Sequence, residues 1–235
     1  MYTVKNLSKF FYEDSWKALL SRNEVKALDN LDFSFFKNES IGILGRNGSG
    51  KSTLLKILGN ILTADSGRLS YEYQSVETSY ISGNERSFFW RLTVKENLEF
   101  FAKMYCINKN EEKILISELA NELEFTRFLN VKFMALSSGF KKKISIARAL
   151  MKNPEIFLFD EITNSLDITS KKKIKEIIKN FHNDQNGKVL FWASHDVQEA
   201  LEVCNRILIL QQGKIVISLK KGDDDFNERN INQYL

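Results

Sequence analysis

Gly45-Arg46-Asn47-Gly48-Ser49-Gly50-Lys51-Ser52 decides the reading of this chain. The stretch fits G-x-x-x-x-G-K-[ST], a loop whose successive backbone N–H groups cradle phosphate. Its flanks supply the setting such a loop needs. Ile41-Gly42-Ile43-Leu44 predicts a buried strand, and Ser52-Thr53-Leu54-Leu55-Lys56-Ile57-Leu58 predicts the start of a helix. A helix beginning there turns its positive end toward the anion. Glycines let the backbone approach phosphate with no Cβ in the way. Lys51 then reaches the β- and γ-phosphates, and the Ser52 hydroxyl ligates Mg²⁺. Residues 45–53, Thr53 included, form the expected nucleotide cradle.

Composition bounds the rest. The 235 residues allow one large domain or a domain with a subdomain. A hydrophobic share of 43% and a charged share of 27% are ordinary for a soluble globular chain. No run of apolar residues is long enough to span a bilayer, and MYTVKNLSKF lacks the apolar core of a secretory signal. Two cysteines, Cys106 and Cys204, make neither a disulfide framework nor a metal cluster, which fits a reducing cytoplasm. A formal charge of +4 tolerates anionic surfaces without demanding nucleic acid, and none is expected as a partner. The lysine runs at 141–143 and 171–173 are expected to be solvated helix faces.

Periodicity predicts alternating strands and helices. Strands are expected at 1–7, 28–36, 71–81, 156–159 and 189–193, with a closing hairpin of 207–210 and 214–218 around Gly213. Residues 10–25 read as an irregular polar-aromatic stretch, and 63–67 as a turn. In 28–36, Leu31, Phe33 and Phe35 share one face. Helices are expected at 94–105, capped by Thr93, and at 111–125, 140–152, 170–182 and 196–204. Residues 223–225 read as solvated tail. The pattern predicts an α/β fold: a phosphate-loop core with a mostly parallel sheet, an N-terminal antiparallel portion, and a helical subdomain inserted at about residues 85–152.

Ile156-Phe157-Leu158-Phe159-Asp160-Glu161 is the second decisive stretch. Four apolar residues ending in two acids predict a buried strand that delivers carboxylates to its C-terminal edge, where open α/β sheets bind ligands. Asp160 suits the Mg²⁺ shell and Glu161 suits a general base that orients attacking water. About twenty residues earlier, Leu136-Ser137-Ser138-Gly139-Phe140 opens a helix, with Ser137 or Ser138 as its cap and a second helix N-terminus ready for anions.

These stretches, together with Ser165-Leu166-Asp167 and Ser194-His195-Asp196, stand in the order and approximate spacing of the ATP-binding cassette (ABC) family, which the chain resembles from Val4 to about Ser218. Leu136-Ser137-Ser138-Gly139-Phe140 is similar to that family's signature, L-S-G-G-Q. The resemblance implies ATP hydrolysis with Mg²⁺ at a site shared by two cassettes, each nucleotide lying between one phosphate loop and the partner's Ser137, Ser138 and Gly139. It implies an adenine-stacking role for Phe11, with Phe10 and Tyr12 as rivals, a γ-phosphate contact for His195, and a place for Asp167 in the loop that crosses between cassettes. It also implies two copies of this chain on a separate transmembrane permease, at the cytoplasmic face of the membrane.

The chain departs from the family at Ser138, Phe140 and Ile162, where glycine, glutamine and proline are usual. It also lacks the glutamine expected after residues 79–82; Asn84 is the candidate replacement as a Mg²⁺ contact. Arg86-Ser87-Phe88-Phe89-Trp90-Arg91 is the expected permease-docking surface. Residues 12–25 and 85–98 resemble ABC-2-type exporters of polysaccharides and teichoic acids. A cassette acting on nucleic acid or ribosomes, or a catalytically silent regulatory cassette, are the alternatives.

Overall fold

Two kinds of apolar pattern produce two kinds of sheet in the computed structural model, which describes residues 1–12, 24–71, 76–83, 87–164, 166–184 and 187–235. In chain order the elements are β1 (Tyr2–Tyr12), β2 (Glu24–Phe35), β3 (Ser40–Leu44), α1 (Lys51–Leu58), β4 (Ser66–Tyr71) and β5 (Thr78–Ser82). There follow α2 (Val94–Met104), α3 (Lys109–Glu122), α4 (Ser138–Lys152), β6 (Ile156–Asp160), α5 (Ile168–Asp184) and β7 (Val189–Ser194). The chain closes with α6 (Val197–Val203), β8 (Arg206–Gln211), β9 (Lys214–Lys220) and α7 (Glu228–Asn232).

Strands with one apolar face build an antiparallel sheet of order β2-β1-β4. In β2, Leu31 and Phe35 are buried and Asp32 is exposed, as the alternation requires. The stretch expected to be irregular is instead paired at both ends: Phe10 lies opposite Lys26 and Phe11 opposite Val25. Continuous apolar runs build the second sheet, of order β5-β6-β7-β3-β8-β9. β6, β7, β3 and β8 run parallel, and β9 returns antiparallel through the expected hairpin. Every residue of β3, β6 and β7 is buried, the condition of a parallel sheet covered on both faces. Residues 71–81 do not make one strand: β4 ends at Tyr71 in the first sheet, and β5 begins at Thr78 in the second.

The core lies between these layers. Phe35 stacks on Tyr2 with ring centroids 4.8 Å apart and meets Phe191 edge-on at 5.0 Å. α1 buries Leu54, Leu55, Ile57 and Leu58 in the same cluster as Ile41 and Leu158. Each such side chain contributes about 2 kcal/mol of burial, so the helix carrying the phosphate loop is anchored by four of them.

The chain divides into two compact units: residues 1–80, 155–160 and 185–235 form one, and 81–154 with 161–184 the other. In the second, Thr93 closes α2 with a reciprocal capping box to Glu96. Asn97, fully buried, ties the preceding turn to the helix, accepting from the Phe89 N–H at 2.8 Å and donating to the Phe89 and Thr93 carbonyls at 3.0 and 2.9 Å. Lys142 and Lys143 overturn the expectation of a solvated lysine face, for both are buried on α4. Long aliphatic stems let them lie against apolar surface while their ammonium groups find oxygen. The acidic residues 223–225 are exposed, but the chain then turns into α7, capped by Asn227 with Ile231 buried, an element the composition did not announce.

Candidate active site

Strand register brings three stretches to one edge. Leu44 ends β3 opposite Ser194 of β7, and Ala193 lies opposite Asp160 at the end of β6. The phosphate loop, His195 and Asp160 therefore leave adjacent parallel strands at the same end, the ligand edge of such a sheet.

The loop has the shape its sequence promised. Gly50 sits at φ +107°, and a Cβ there would lie 2.5 Å from the Ala27 carbonyl and 2.9 Å from a Leu28 methyl. Gly48 is also left-handed, at φ +80°, and exposed beside Arg46 and Asn47. Lys51 is only 5% exposed, and its Nζ donates to the Gly45 carbonyl at 2.7 Å and the Arg46 carbonyl at 3.2 Å. The ammonium thus folds back over its own loop, where phosphate oxygens would take over as acceptors. Ser52 is exposed and Thr53 half-buried at the first turn of α1.

Two buried oxygens in this unit lack a hydrogen-bond partner among the described residues: Ser49 Oγ and Asp160 Oδ1. Buried polar atoms without partners are rare, so each marks a place for something the chain itself does not supply. The other Asp160 oxygen accepts from Tyr80 Oη at 2.8 Å, which fixes the carboxylate in one orientation. A single carboxylate oxygen at the strand edge, with the Ser52 hydroxyl on the first turn of α1, fits Mg²⁺, which takes one or two protein oxygens and completes its shell with phosphate and water. The described residues hold no cluster of three or more His, Cys, Asp or Glu able to cage a metal.

His195 is exposed just past β7. The residues beside it are hydrogen-bonded: the Asp196 N–H donates to Ser194 Oγ at 3.0 Å, and Asp196 Oδ1 caps α6 by accepting from the Glu199 N–H at 3.1 Å.

Glu161 follows Asp160 and takes a left-handed backbone, φ +52°. A non-glycine residue there costs about 1 kcal/mol or more and persists where neighbours enforce it. Its carboxylate Oε2 accepts from Asn164 Nδ2 at 2.8 Å. Ile162, where the family has proline, is buried.

Ser137 caps α4, its Oγ accepting from the Phe140 N–H at 3.5 Å. Ser137 and Ser138 are exposed at this helix start. Gly139 is half-buried, and a Cβ there would touch Leu166 at 3.4 Å. Phe140, at the glutamine position, packs on Phe128 with ring centroids 4.1 Å apart, so the substitution serves packing within its own unit. Asp167 caps α5, accepting from the Ser170 N–H at 2.9 Å. Asn84, Ser165 and the stretch 13–23 lie outside the described residues.

Phe11 is largely exposed near the end of β1, with Lys9 Nζ 5.7 Å from its ring; Phe10 is partly covered by Lys26 at 5.5 Å, and Tyr12 is exposed. Asp65 pins this strand end by accepting from the Phe10 N–H at 2.6 Å and Lys9 Nζ at 2.9 Å. The Phe10 amide, then the Lys9 ammonium, hold its carboxyl below the ordinary value. A lowered carboxyl pKa supports folding above the ordinary carboxylate range, and that support fades as pH falls through the folded value. Asp65→Asn is therefore expected to loosen this strand end at neutral pH, read as faster amide exchange at Phe10 and Phe11. In the parent chain the protection of the same amides, corrected for the intrinsic pH dependence of exchange, should fall only below about pH 4.

Reading the sequence missed Tyr80 and Lys142, whose partners come from distant segments, and Asn164, whose side chain turns back to Glu161 three residues earlier. It also missed the chain's last residues. Arg46 Nε donates to the Leu235 carbonyl and Gln211 Nε2 to the Tyr234 carbonyl. Arg46, Asn47, Gly48, Gln211, Gln233 and Tyr234 help line a cavity of about 500 Å³ beside the phosphate loop.

A phosphate loop, an edge aspartate with an unfilled oxygen and a strand-end histidine on one parallel sheet define a nucleotide-hydrolysing core. The family profile for ABC transporters matches residues 28–164, and the chain belongs to that family. It is 30% identical over 225 residues to the ABC transporter ATP-binding protein NatA of Bacillus subtilis, covering 92% of this chain and 88% of NatA. It is 30% identical over 220 residues to the probable sulfate/thiosulfate import ATP-binding protein CysA of Chlorella vulgaris, covering 91% and 88%. The structure is similar to the ATP-binding cassette MJ0796, solved as a post-hydrolysis dimer with ADP and Pi, at a TM-score of 0.80 and 26% identity over 94% of this chain and 99% of that one. The chain is an ATPase of the ABC family. Among the described residues no helix is long and apolar enough to cross a membrane.

Proposed function

We propose that two copies of this chain close head to tail on two ATP molecules and thereby drive a separate transmembrane permease from its cytoplasmic side. The observation that carries this reading is the unpartnered Asp160 oxygen on the strand edge shared with the phosphate loop and His195. Lys51 binds the β- and γ-phosphates, and residues 45–53 hold the rest of the polyphosphate through backbone N–H groups. Phe11 stacks on adenine. Ser52 and Asp160 would hold Mg²⁺, with Asn84 as a further contact, and the bound ion would supply charge neutralisation at the phosphate oxygens. Glu161 accepts the proton of the attacking water, and His195 holds the γ-phosphate side. Ser137, Ser138 and Gly139 present a helix N-terminus to the partner copy's nucleotide, and Asp167 lies in the loop that crosses to it. Loss of the γ-phosphate removes those contacts and the pair opens.

MJ0796, a dimeric cassette, supports the pairing. The test is Mg²⁺-dependent ATP turnover by the purified chain, with and without its cognate permease, beside sedimentation in ATP. Turnover together with ATP-dependent dimers supports the reading; their joint absence sinks it. Steeply salt-dependent binding to DNA or RNA would favour the nucleic-acid alternative. Export of a polysaccharide or glycolipid is the narrower proposal, resting on the resemblance of residues 12–25 and 85–98 to exporters; ATP-driven cargo movement in inverted vesicles tests it, since CysA is named for import.

Exposed aromatics in the second unit support a docking surface. Phe88 is core, stacked on Phe133 at 4.4 Å, but Phe89 and Trp90 are exposed, with Lys141 Nζ 4.5 Å above the Trp90 ring. Phe89 meets Phe100 edge-on at 4.7 Å, and Met104 is exposed farther along the same helix. Trp90→Ala is expected to weaken permease assembly by about 2 kcal/mol, roughly thirtyfold, with ATP affinity unchanged. Equal loss of both in a pull-down and a nucleotide titration would mean misfolding and remove the assignment.

A further inference from the structure

The carboxylate assigned above as general base lies just past β6, in the second unit. Its backbone is left-handed at φ +52°, and three segments of the second unit converge on it. Asn164, three residues on, donates from Nδ2 to Glu161 Oε2 at 2.8 Å, and the Asn164 N–H returns to the Glu161 carbonyl at 3.3 Å. The Asn164 carbonyl in turn accepts from Lys142 Nζ, on the second turn of α4. Lys142 is 9% exposed, and its ammonium donates into this loop. Gly83, just past β5, lies beside the same place: a Cβ there would lie 3.2 Å from the Glu161 carbonyl and 3.8 Å from Lys142 Nζ.

We propose that Asn164 and Lys142 are positioning residues for ATP hydrolysis: Asn164 aims the Glu161 carboxylate, and Lys142 holds Asn164 to the helix that begins with Ser137 and Ser138. This rests on the general-base reading of Glu161. The physical reason is the lever that α4 supplies. Ser137 and Ser138 stand at its N-terminus, exposed to a partner, and Lys142 lies one turn deeper. A shift of α4 when its start engages a partner's nucleotide moves the Lys142 ammonium and the loop carbonyl it grips. The side-chain amide of that residue then moves the carboxylate. Displacements near 1 Å at a reacting group change rates by about a hundredfold, so a small shift of the helix suffices to arm or disarm the base. Burial, then the Lys171 charge, holds the Lys142 pKa below the ordinary lysine value, and the Glu161 charge opposes that shift.

The test uses the purified full chain. Asn164→Ala is expected to lower kcat about ten- to a hundredfold with KM for ATP within about twofold. Lys142→Met should lower kcat about tenfold, and Lys142→Arg, which keeps a cation of similar reach, should recover most of it. The decisive reading is a double-mutant cycle. In a Glu161→Gln background, neither Asn164→Ala nor Lys142→Met should reduce the residual rate further, because the group they aim is gone. Losses that multiply in that background would show independent structural damage and overturn the inference. Unchanged kcat in both single variants, measured alongside intact thermal melts, overturns it as well. If Asn164→Ala melts early, Lys142→Met and its arginine counterpart decide alone. Full turnover by Glu161→Gln itself would remove the general-base reading and this inference with it; a dead Glu161→Gln beside normal Asn164 and Lys142 variants would remove only the inference.

Discussion

Glu161→Gln is expected to lower Mg²⁺-dependent ATP turnover by about 10²- to 10⁴-fold, the range a positioned general base supplies. The substitution keeps the shape of the side chain and an oxygen able to accept from Asn164 Nδ2. It removes only the charge that takes a proton from water. At about 1.4 kcal/mol per decade this is about 3 to 5 kcal/mol of barrier, with none of it drawn from nucleotide affinity. The consequence reaches assembly. With γ-phosphate retained, the contacts proposed to hold two copies together persist, and an ATP-bound dimer should accumulate. Size-exclusion chromatography with ATP and Mg²⁺ reads that directly. A variant that stays monomeric and hydrolyses at the parent rate would displace Glu161 from its role and leave Asp160 and His195 to be examined for the base.

Lys51→Met is the second large effect. Methionine matches the aliphatic stem of lysine, and Lys51 is nearly buried, so the packing of α1 over Leu54, Leu55 and Leu58 is kept. The ammonium is lost, along with its bonds to the Gly45 and Arg46 carbonyls. Charge-assisted hydrogen bonds contribute about 1.5–3 kcal/mol each. Losing the contacts to two phosphates should weaken ATP binding by about 10²- to 10⁴-fold, measured by titration with a fluorescent ATP analogue. ADP, which lacks the γ-phosphate, should lose less. Equal losses for both nucleotides, or none, would place Lys51 away from the γ-phosphate.

The candidate site was legible where its elements are local. The strand, loop and helix around residues 41–58 are consecutive, and each is set by period and by glycine. The acids at 160 and 161 could be placed because a buried strand has a defined end. What escaped are side chains whose partners are remote in sequence. Tyr80 meets Asp160 across eighty residues, and Lys142 meets Asn164 across twenty-two. A lysine run reads as solvent-facing by composition, because nothing in a local window reveals oxygens delivered from elsewhere. The split at 71–81 was hidden for a related reason. Both halves have strand propensity, and only the available sheet edges assign them to different sheets.

Period, glycine placement and the charged ends of apolar runs were enough to prescribe a parallel sheet with a phosphate loop at its edge, because each acts within a turn or two of chain. Burial of Lys142, the aim of Glu161, the unfilled oxygen of Asp160 and the seat of the last residues beside Arg46 arose only on folding. They depend on desolvation and on distances between segments, and neither exists until the layers have packed.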